Sequence, residues 1–238
     1  MRRLHLSLIL AACAAMLAGC SRSDQAFDDR VHAYLLAHPE VIREAVDALQ
    51  AKEELRANQQ SEAAVAPNRS AIERDPRDFV ANPAGKITVT EFYDYRCPHC
   101  MNAAPTVLKI IKDNPDIRFV FKEYPVFGAA SETAAAAAIA VKQAGGDYLG
   151  VYSEFMAARP LSVETISRVL TEHHLDPNVL SQPALQNTAL DQLNATRQLA
   201  ATLGLRGTPA FIVGDTIVPG DRMDAVSAAI AAARAHKG

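Results

Sequence analysis

Two cysteines separated by two residues, in Cys97-Pro98-His99-Cys100, are the side chains best placed to do chemistry in this 238-residue sequence. Such a pair can close a small disulfide and reopen it. Pro98 cannot extend a preceding helix, but it fits the first turn of a new one. The run Lys86-Ile87-Thr88-Val89-Thr90-Glu91-Phe92-Tyr93 just upstream is β-branched and aromatic, as a strand should be. The expected order is strand, short loop, then a helix opening at the cysteines. Cys97 then lies at the helix N-terminus, where free N–H groups and the helix dipole stabilise a thiolate. A thiolate is the species that attacks a disulfide. Cys97 is therefore the expected attacking sulfur, and Cys100, one turn further in, its resolving partner. His99 can donate to the Cys97 sulfur or place positive charge near it, which favours the reduced form and makes the disulfide a better oxidant.

The elements that would hold this pair follow from pattern. The helix of the cysteines should run to about Asn114, with Pro105 as a kink and Pro115 as its end. Residues 117–124 read as a second strand, so strand, helix and strand form a βαβ unit with a parallel pair. Residues 128 to about 190 contain no convincing strand and read as helices: 129–144, 148–157, 166–173 behind a Ser162 cap, then short turns. A long helix over 187–203 follows. Ala210-Phe211-Ile212-Val213 and Thr216-Ile217-Val218, joined by Gly214-Asp215, form a hairpin, and a last helix covers about 222–235. Upstream, Phe27, Val31, Tyr34, Leu35, Ile42 and Val46 recur mostly at helical spacing, broken at His38-Pro39. This gives a short helix and a second one from about Glu40 to Gln60. It reads equally as a spacer or packed helix and as an oligomerisation stalk. Residues 67–70 read as the boundary before the main domain.

Composition narrows the class. The sequence is 49% hydrophobic and 21% charged, with a net charge of −3, so no basic footprint for nucleic acid exists. Met1-Arg2-Arg3, an apolar core from Leu4 to Leu17, and Leu17-Ala18-Gly19-Cys20 read as an export signal over residues 1–19. Its ending in cysteine resembles a bacterial lipobox, which implies cleavage before Cys20 and lipidation of that thiol. Cys13 then leaves with the signal, and Cys97 and Cys100 are the remaining free pair. Exported proteins usually use cysteines as structural staples. A loop this small staples almost nothing, which favours a redox role. Structural zinc wants four ligands. Cys97, His99 and Cys100 lack a second pair, so no metal site is expected. Transient Cu(I) binding by the reduced thiols is the more plausible metal chemistry.

Gly207-Thr208-Pro209-Ala210-Phe211, just before the hairpin, supplies a proline on a distant loop. Together with Cys97-Pro98-His99-Cys100 and the long helical block between them, it resembles the DsbA-like thiol:disulfide oxidoreductases over roughly residues 70–238. Tyr34-Leu35-Leu36-Ala37-His38-Pro39-Glu40-Val41-Ile42 with the amphipathic helix after it resembles the leading segment of the suppressor-of-copper-sensitivity C (ScsC) branch. The resemblance implies an α/β thioredoxin-like fold with an inserted helical domain over about 128–190, preceded by an N-terminal helical segment over 20–66. It implies a cis Thr208-Pro209 bond whose neighbouring backbone pairs with an extended substrate. It also implies that Glu91 is a buried acid beneath the disulfide that assists proton transfer. Lys122, on the adjacent strand, is expected as its partner, since buried charge usually needs one. A solvent-facing Glu91 and Lys122 is the rival reading.

The implied activity is formation or rearrangement of disulfides in exported proteins, with the Cys97–Cys100 disulfide as the redox group and no bound cofactor. The implied partners are unfolded or misoxidised exported proteins, a membrane redox protein, the membrane itself through Cys20, and a homo-oligomer. The implied location is the periplasmic face of the envelope, with the outer membrane preferred because Ser21 is not an inner-membrane retention signal. A monomer reoxidised by a quinone-linked partner would be an oxidase. An oligomer kept reduced by a membrane reductase would be an isomerase, linked to copper tolerance. A non-catalytic envelope lipoprotein is the remaining alternative.

Overall fold

Residues 25–236 are described by a computed structural model. The export signal and the Cys20 lipidation site lie outside the described residues. Helix α1 covers residues 25–37 and α2 covers Glu40–Val65, with His38-Pro39 between them. α2 runs past the expected end near Gln60, because residues 58–66 are rich in alanine and contain no glycine or proline to stop it. The chain divides into two compact units, and the division falls inside α2, between Arg56 and Ala57. The described part of the first unit is helical, with no buried residue; Phe27, Tyr34, Leu36, Ile42 and Leu49 are each more than half exposed.

The second unit is built on a five-stranded sheet. Its strands are β1 (Phe79–Ala81), β2 (Ile87–Tyr93), β3 (Ile117–Glu123), β4 (Ala210–Val213) and β5 (Thr216–Pro219), in the order β1-β3-β2-β4-β5. β2 and β3 are parallel, and the other pairs are antiparallel. The parallel pair requires a crossover. That crossover is α4 (Pro98–Asp113), which opens at the cysteines. α3 (Arg69–Glu73) precedes the sheet, and α5 (Ala129–Gln143), α6 (Tyr148–Ala157), α7 (Val163–Glu172) and α8 (Pro183–Thr202) fill the interval between β3 and β4. α9 (Met223–Ala235) ends the fold. This is a thioredoxin-like fold with an inserted helical block. Ser162 caps α7 as expected, its side chain accepting from the Thr165 N–H.

Two glycines are required by geometry. Gly214, at φ 62°, makes the tight hairpin between β4 and β5. A Cβ on Gly85 would lie 2.4 Å from the backbone nitrogen of Arg118, so only glycine lets the turn before β2 pass β3.

Both faces of the sheet are covered. Val89, Tyr93, Phe119, Phe121 and Phe211 pack with α4, α6 and α9 in one large core. Phe92, Ala210 and Ile212 pack on the other face with Val65, Ile72 and the end of α8. β2 is the central strand, and it delivers the chain to the cysteines.

Candidate active site

Cys97 is the N-cap of α4, with extended backbone angles, and Pro98 is its first helical residue. Both cysteines are free thiols. Cys97 keeps 2% of its surface and Cys100 none. The Cys97 Sγ lies 3.1 Å from the Thr208 carbonyl oxygen, to which the thiol donates. Thr208-Pro209 is cis, as the resemblance implied. The distant loop therefore faces the cysteine pair directly. The expected order of exposure, Cys97 over Cys100, holds, but both are more enclosed than a surface motif would be.

The two sulfurs are pushed in opposite directions. Cys97 is lowered to about 5 by a hydrogen bond from Cys100, against the cost of burial, with help from the Thr208 side chain and from the backbone N–H groups of Cys100 and His99. Burial is the main cause that pushes Cys100 far up, and its hydrogen bond to Cys97 and the nearby Glu91 charge add to it. One sulfur is prepared to be a thiolate and the other to hold its proton.

Asp94 ties the approach to the cysteines together. Its Oδ1 accepts from the Arg96 N–H at 2.7 Å, and its Oδ2 accepts from the Val126 and Phe127 N–H groups at 2.6 and 2.9 Å. Arg96 donates to the Phe127 carbonyl at 2.8 Å. The loop after β3 is thereby fastened to the loop before α4. The His99 ring behaves differently from the expectation. Its Nδ1 pairs with Asp221 Oδ1 at 3.1 Å, and Asn102 donates to the other oxygen of the same carboxylate at 3.3 Å. The contribution of His99 to the sulfur is made by its backbone N–H.

Glu91 is fully buried, so the solvent-facing reading of it fails. Burial pushes its carboxyl up to about 8; the Tyr152 hydrogen bond at 3.3 Å opposes this, and the charges of Glu123 and Cys97 add to it. The expected Glu91–Lys122 pair does not form. Lys122 is paired with Asp78 and donates to the Ala71 carbonyl, with both charged side chains buried. The register gives the reason. Glu91 stands opposite Phe121, and Phe92 opposite Lys122. Successive strand side chains alternate faces, so Lys122 shares the face of Phe92 and Glu91 that of Phe121. Lys122 is thus a structural ion on the far side of the sheet.

On the Glu91 side, the sequence reading missed a second acid. Glu123 is buried, and its Oε1 accepts hydroxyls from Tyr93, Tyr148 and Tyr95 at 2.6, 2.7 and 3.0 Å. The signal was present as Tyr148 and Tyr152, one turn apart on α6, and as Glu123 two residues beyond Phe121. Among the described residues, no group of three His, Cys, Asp or Glu side chains could hold a metal ion.

Comparison with known proteins agrees with this geometry. Residues 88–231 match the DsbA-like thioredoxin domain, a span that includes both cysteines and Thr208-Pro209. The chain belongs to the DsbA-like thioredoxin family. Residues 25–55 match the N-terminal domain of the copper resistance protein ScsC. BcfH of Salmonella enterica Typhimurium superposes with a TM-score of 0.74 at 28% identity, over 92% of this chain and 99% of that one. ScsC of Proteus mirabilis in a transitional conformation gives 0.66 at 26% identity, over 91% and 99%. A thioredoxin-like oxidoreductase from Silicibacter pomeroyi DSS-3 gives 0.64 at 32% identity, over 72% and 99%. Among curated proteins, the Na(+)/H(+) antiporter NhaA 3 of Salinispora tropica is 27% identical over 67% of this chain, which spans about 25% of the antiporter's length. Among the described residues no helix is long and apolar enough to cross a membrane.

Membership of this DsbA-like family and the paired cysteines support thiol:disulfide oxidoreductase activity as the general chemistry. Asp94 and Asp221 join the site although no sequence motif singled them out. Each acts through loops that meet only once the chain has folded.

Proposed function

We propose that this chain exchanges disulfides with exported polypeptides in the cell envelope, using Cys97 as the attacking sulfur and Cys100 as the resolving one. The observation that carries the reading is the opposite perturbation of the two thiols at the head of α4, with Thr208-Pro209 facing them. In the oxidising direction a substrate thiolate attacks the Cys97 sulfur of the disulfide, and Cys100 leaves with the bond's electron pair. A second substrate thiolate then attacks the mixed disulfide and releases Cys97 as a thiolate. In the isomerising direction the Cys97 thiolate attacks a wrong substrate disulfide. Thr208, Pro209, Pro98 and His99 shape the site; Glu91 handles the proton of Cys100. No bound cofactor is required, because the Cys97–Cys100 disulfide carries the electrons. A membrane redox protein, a quinone-linked oxidase or a reductase, resets it. The leader pattern supports placement on the periplasmic face, held by lipid on Cys20 and preferably at the outer membrane.

The test is Cys97→Ser in the full chain. It should abolish oxidation of a reduced dithiol peptide and refolding of scrambled ribonuclease; retained activity overturns the assignment. Mass spectrometry of the mature N-terminus should show a lipid on Cys20, and an unmodified cysteine there removes the anchor.

A second reading, an oligomeric isomerase or reductase linked to copper tolerance, is favoured by the ScsC-type segment at residues 25–55 and the exposed apolar side chains along α1 and the start of α2. Light scattering of the chain with and without residues 25–56, paired with the two activity assays, separates the readings. An oligomer with strong refolding activity supports the isomerase, and a monomer that only oxidises peptides supports the oxidase.

A further inference from the structure

Glu91 and Glu123 lie on one face of two paired strands, since Glu91 is opposite Phe121 and Tyr93 is opposite Glu123. Both are fully enclosed, and each has one carboxyl oxygen without a hydrogen-bond partner. The groups acting on Glu91 are Tyr152 of α6, Glu123 of β3 and Cys97. Those acting on Glu123 are Tyr93 of β2, Tyr95 of the loop after it, Tyr148 of α6 and Asp94. From β1, Phe79 stacks on Tyr148 and brings no charge. Cys100 of α4 senses the charge of Glu91.

The proton count at Glu123 is informative. The three hydroxyls each approach Glu123 Oε1, and Tyr93 also approaches Tyr95 at 3.0 Å and Tyr148 at 2.7 Å. Each hydroxyl has one proton, so three hydroxyl protons cannot serve all of these contacts at once. A further proton on the carboxyl lets one more contact become a hydrogen bond. The hydroxyls favour the carboxylate, but enclosure of Glu123 and its unpartnered Oε2 outweigh them and favour the protonated form.

We propose that Glu123, with the hydroxyls of Tyr93, Tyr95 and Tyr148, is a second buried proton-holding site coupled to Glu91, so that the two carboxyls on this face of the sheet titrate as a pair. Glu123 is a positioning residue that acts through Glu91. This rests on the thiol:disulfide exchange reading. When a substrate thiolate attacks Cys97, the Cys97–Cys100 bond breaks and Cys100 leaves as a thiolate with the electron pair. Protonated Glu91 gives Cys100 its proton and becomes the carboxylate. Like charge on Glu123 disfavours ionised Glu91, so the pair keeps that proton available at neutral pH.

The experiment measures the rate at which the oxidised full chain oxidises a reduced dithiol peptide between pH 6 and 10, for the unaltered protein and Glu123→Gln. Glutamine keeps an acceptor for the tyrosines but removes the charge. The falling limb of the profile should move down by about one pH unit in the variant, the shift expected when a strongly coupled partner is removed. An unmoved limb overturns the proposal. Titration of carboxyl-labelled glutamates in the unaltered protein by ¹³C NMR reads the coupling without a variant. Two-step curves at Glu91 and Glu123 are expected, and independent single steps overturn the proposal. Loss of all exchange by the unaltered protein would instead sink the exchange reading, while the carboxyl titrations would still decide the coupling.

Discussion

Replacing Cys100 by alanine should raise the pKa of Cys97 toward that of a free thiol. Cys97 stands at about 5, and the largest cause is the hydrogen bond from Cys100. A hydrogen bond to a charged group contributes about 1.5–3 kcal/mol. At about 1.4 kcal/mol per pH unit, its loss should raise the Cys97 midpoint by about one to two units. Thiolate absorbance at 240 nm against pH, with the rate of iodoacetamide alkylation as a second readout, measures this directly. For the unaltered protein the same depression has a redox consequence. At pH 7 the thiolate lies about two units above its midpoint, which stabilises the reduced form by about 2.7 kcal/mol before screening. Cys97 keeps 2% of its surface, so little of this is screened, and it corresponds to about 60 mV of oxidising power. Linkage sets the sign. The folded midpoint is below the unfolded one, so this stabilisation of the reduced protein is complete above the free-thiol range and is lost as pH falls through about 5. Denaturant unfolding of the reduced protein should therefore weaken between pH 7 and pH 4 more than that of the oxidised protein. A midpoint between 8 and 9 for the unaltered protein, or one unmoved in Cys100→Ala, would refute the reasoning.

Glu91→Gln should leave stability at pH 4 nearly unchanged and raise it above pH 8. The buried carboxyl titrates at about 8 when folded, so its burial destabilises the native state increasingly as pH rises from the ordinary carboxyl range. Urea unfolding at both pH values checks this, and an equal effect at both would contradict it. Lys122→Met should cost about 3–5 kcal/mol by leaving Asp78 buried without its partner, while replacing both residues with apolar ones should recover most of it. Exchange activity per folded molecule should not change, and a drop would return Lys122 to the catalytic machinery. Gly85→Ala should destabilise by more than 1 kcal/mol, because its Cβ meets the β3 backbone rather than a movable side chain; thermal unfolding reads it.

Most of the fold was legible in the sequence because each element carries a local signal. The β-branched run 87–93, the proline after Cys97, Ser162 before α7 and Gly214-Asp215 in the hairpin each decide one boundary with nearby chemistry. The cysteine pair and Thr208-Pro209 were legible for the same reason. What failed was pairing across strands. Whether Lys122 meets Glu91 depends on a register set by the whole sheet, and strand adjacency alone does not reveal it. Glu123 was missed because a carboxylate at a strand end normally faces solvent. Only the packing of α6 brings Tyr148 over it and closes the pocket with hydroxyls.

The same packing explains why two chemically identical thiols three residues apart become different reagents. At the helix N-terminus, the backbone N–H groups of His99 and Cys100 are free to donate to the Cys97 sulfur, and the hydrogen bonds it receives outweigh its burial. One turn in, Cys100 has the core around it, and burial outweighs what the Asp94 N–H supplies at 3.5 Å. The Cys100 hydrogen bond is the largest cause at Cys97, and the start of the helix, where Pro98 is the first helical residue, adds the backbone N–H groups of His99 and Cys100. Moving the start of α4 by one residue would place both sulfurs in the wrong environment without altering either one. A substitution that changes where α4 begins should thus narrow the gap between the two thiols while leaving their spacing intact. The separate titrations of Cys97 in Cys100→Ala and of Cys100 in Cys97→Ser, each with and without Pro98→Ala, would measure that gap. An unchanged gap would show that burial alone, and not the helix end, separates them.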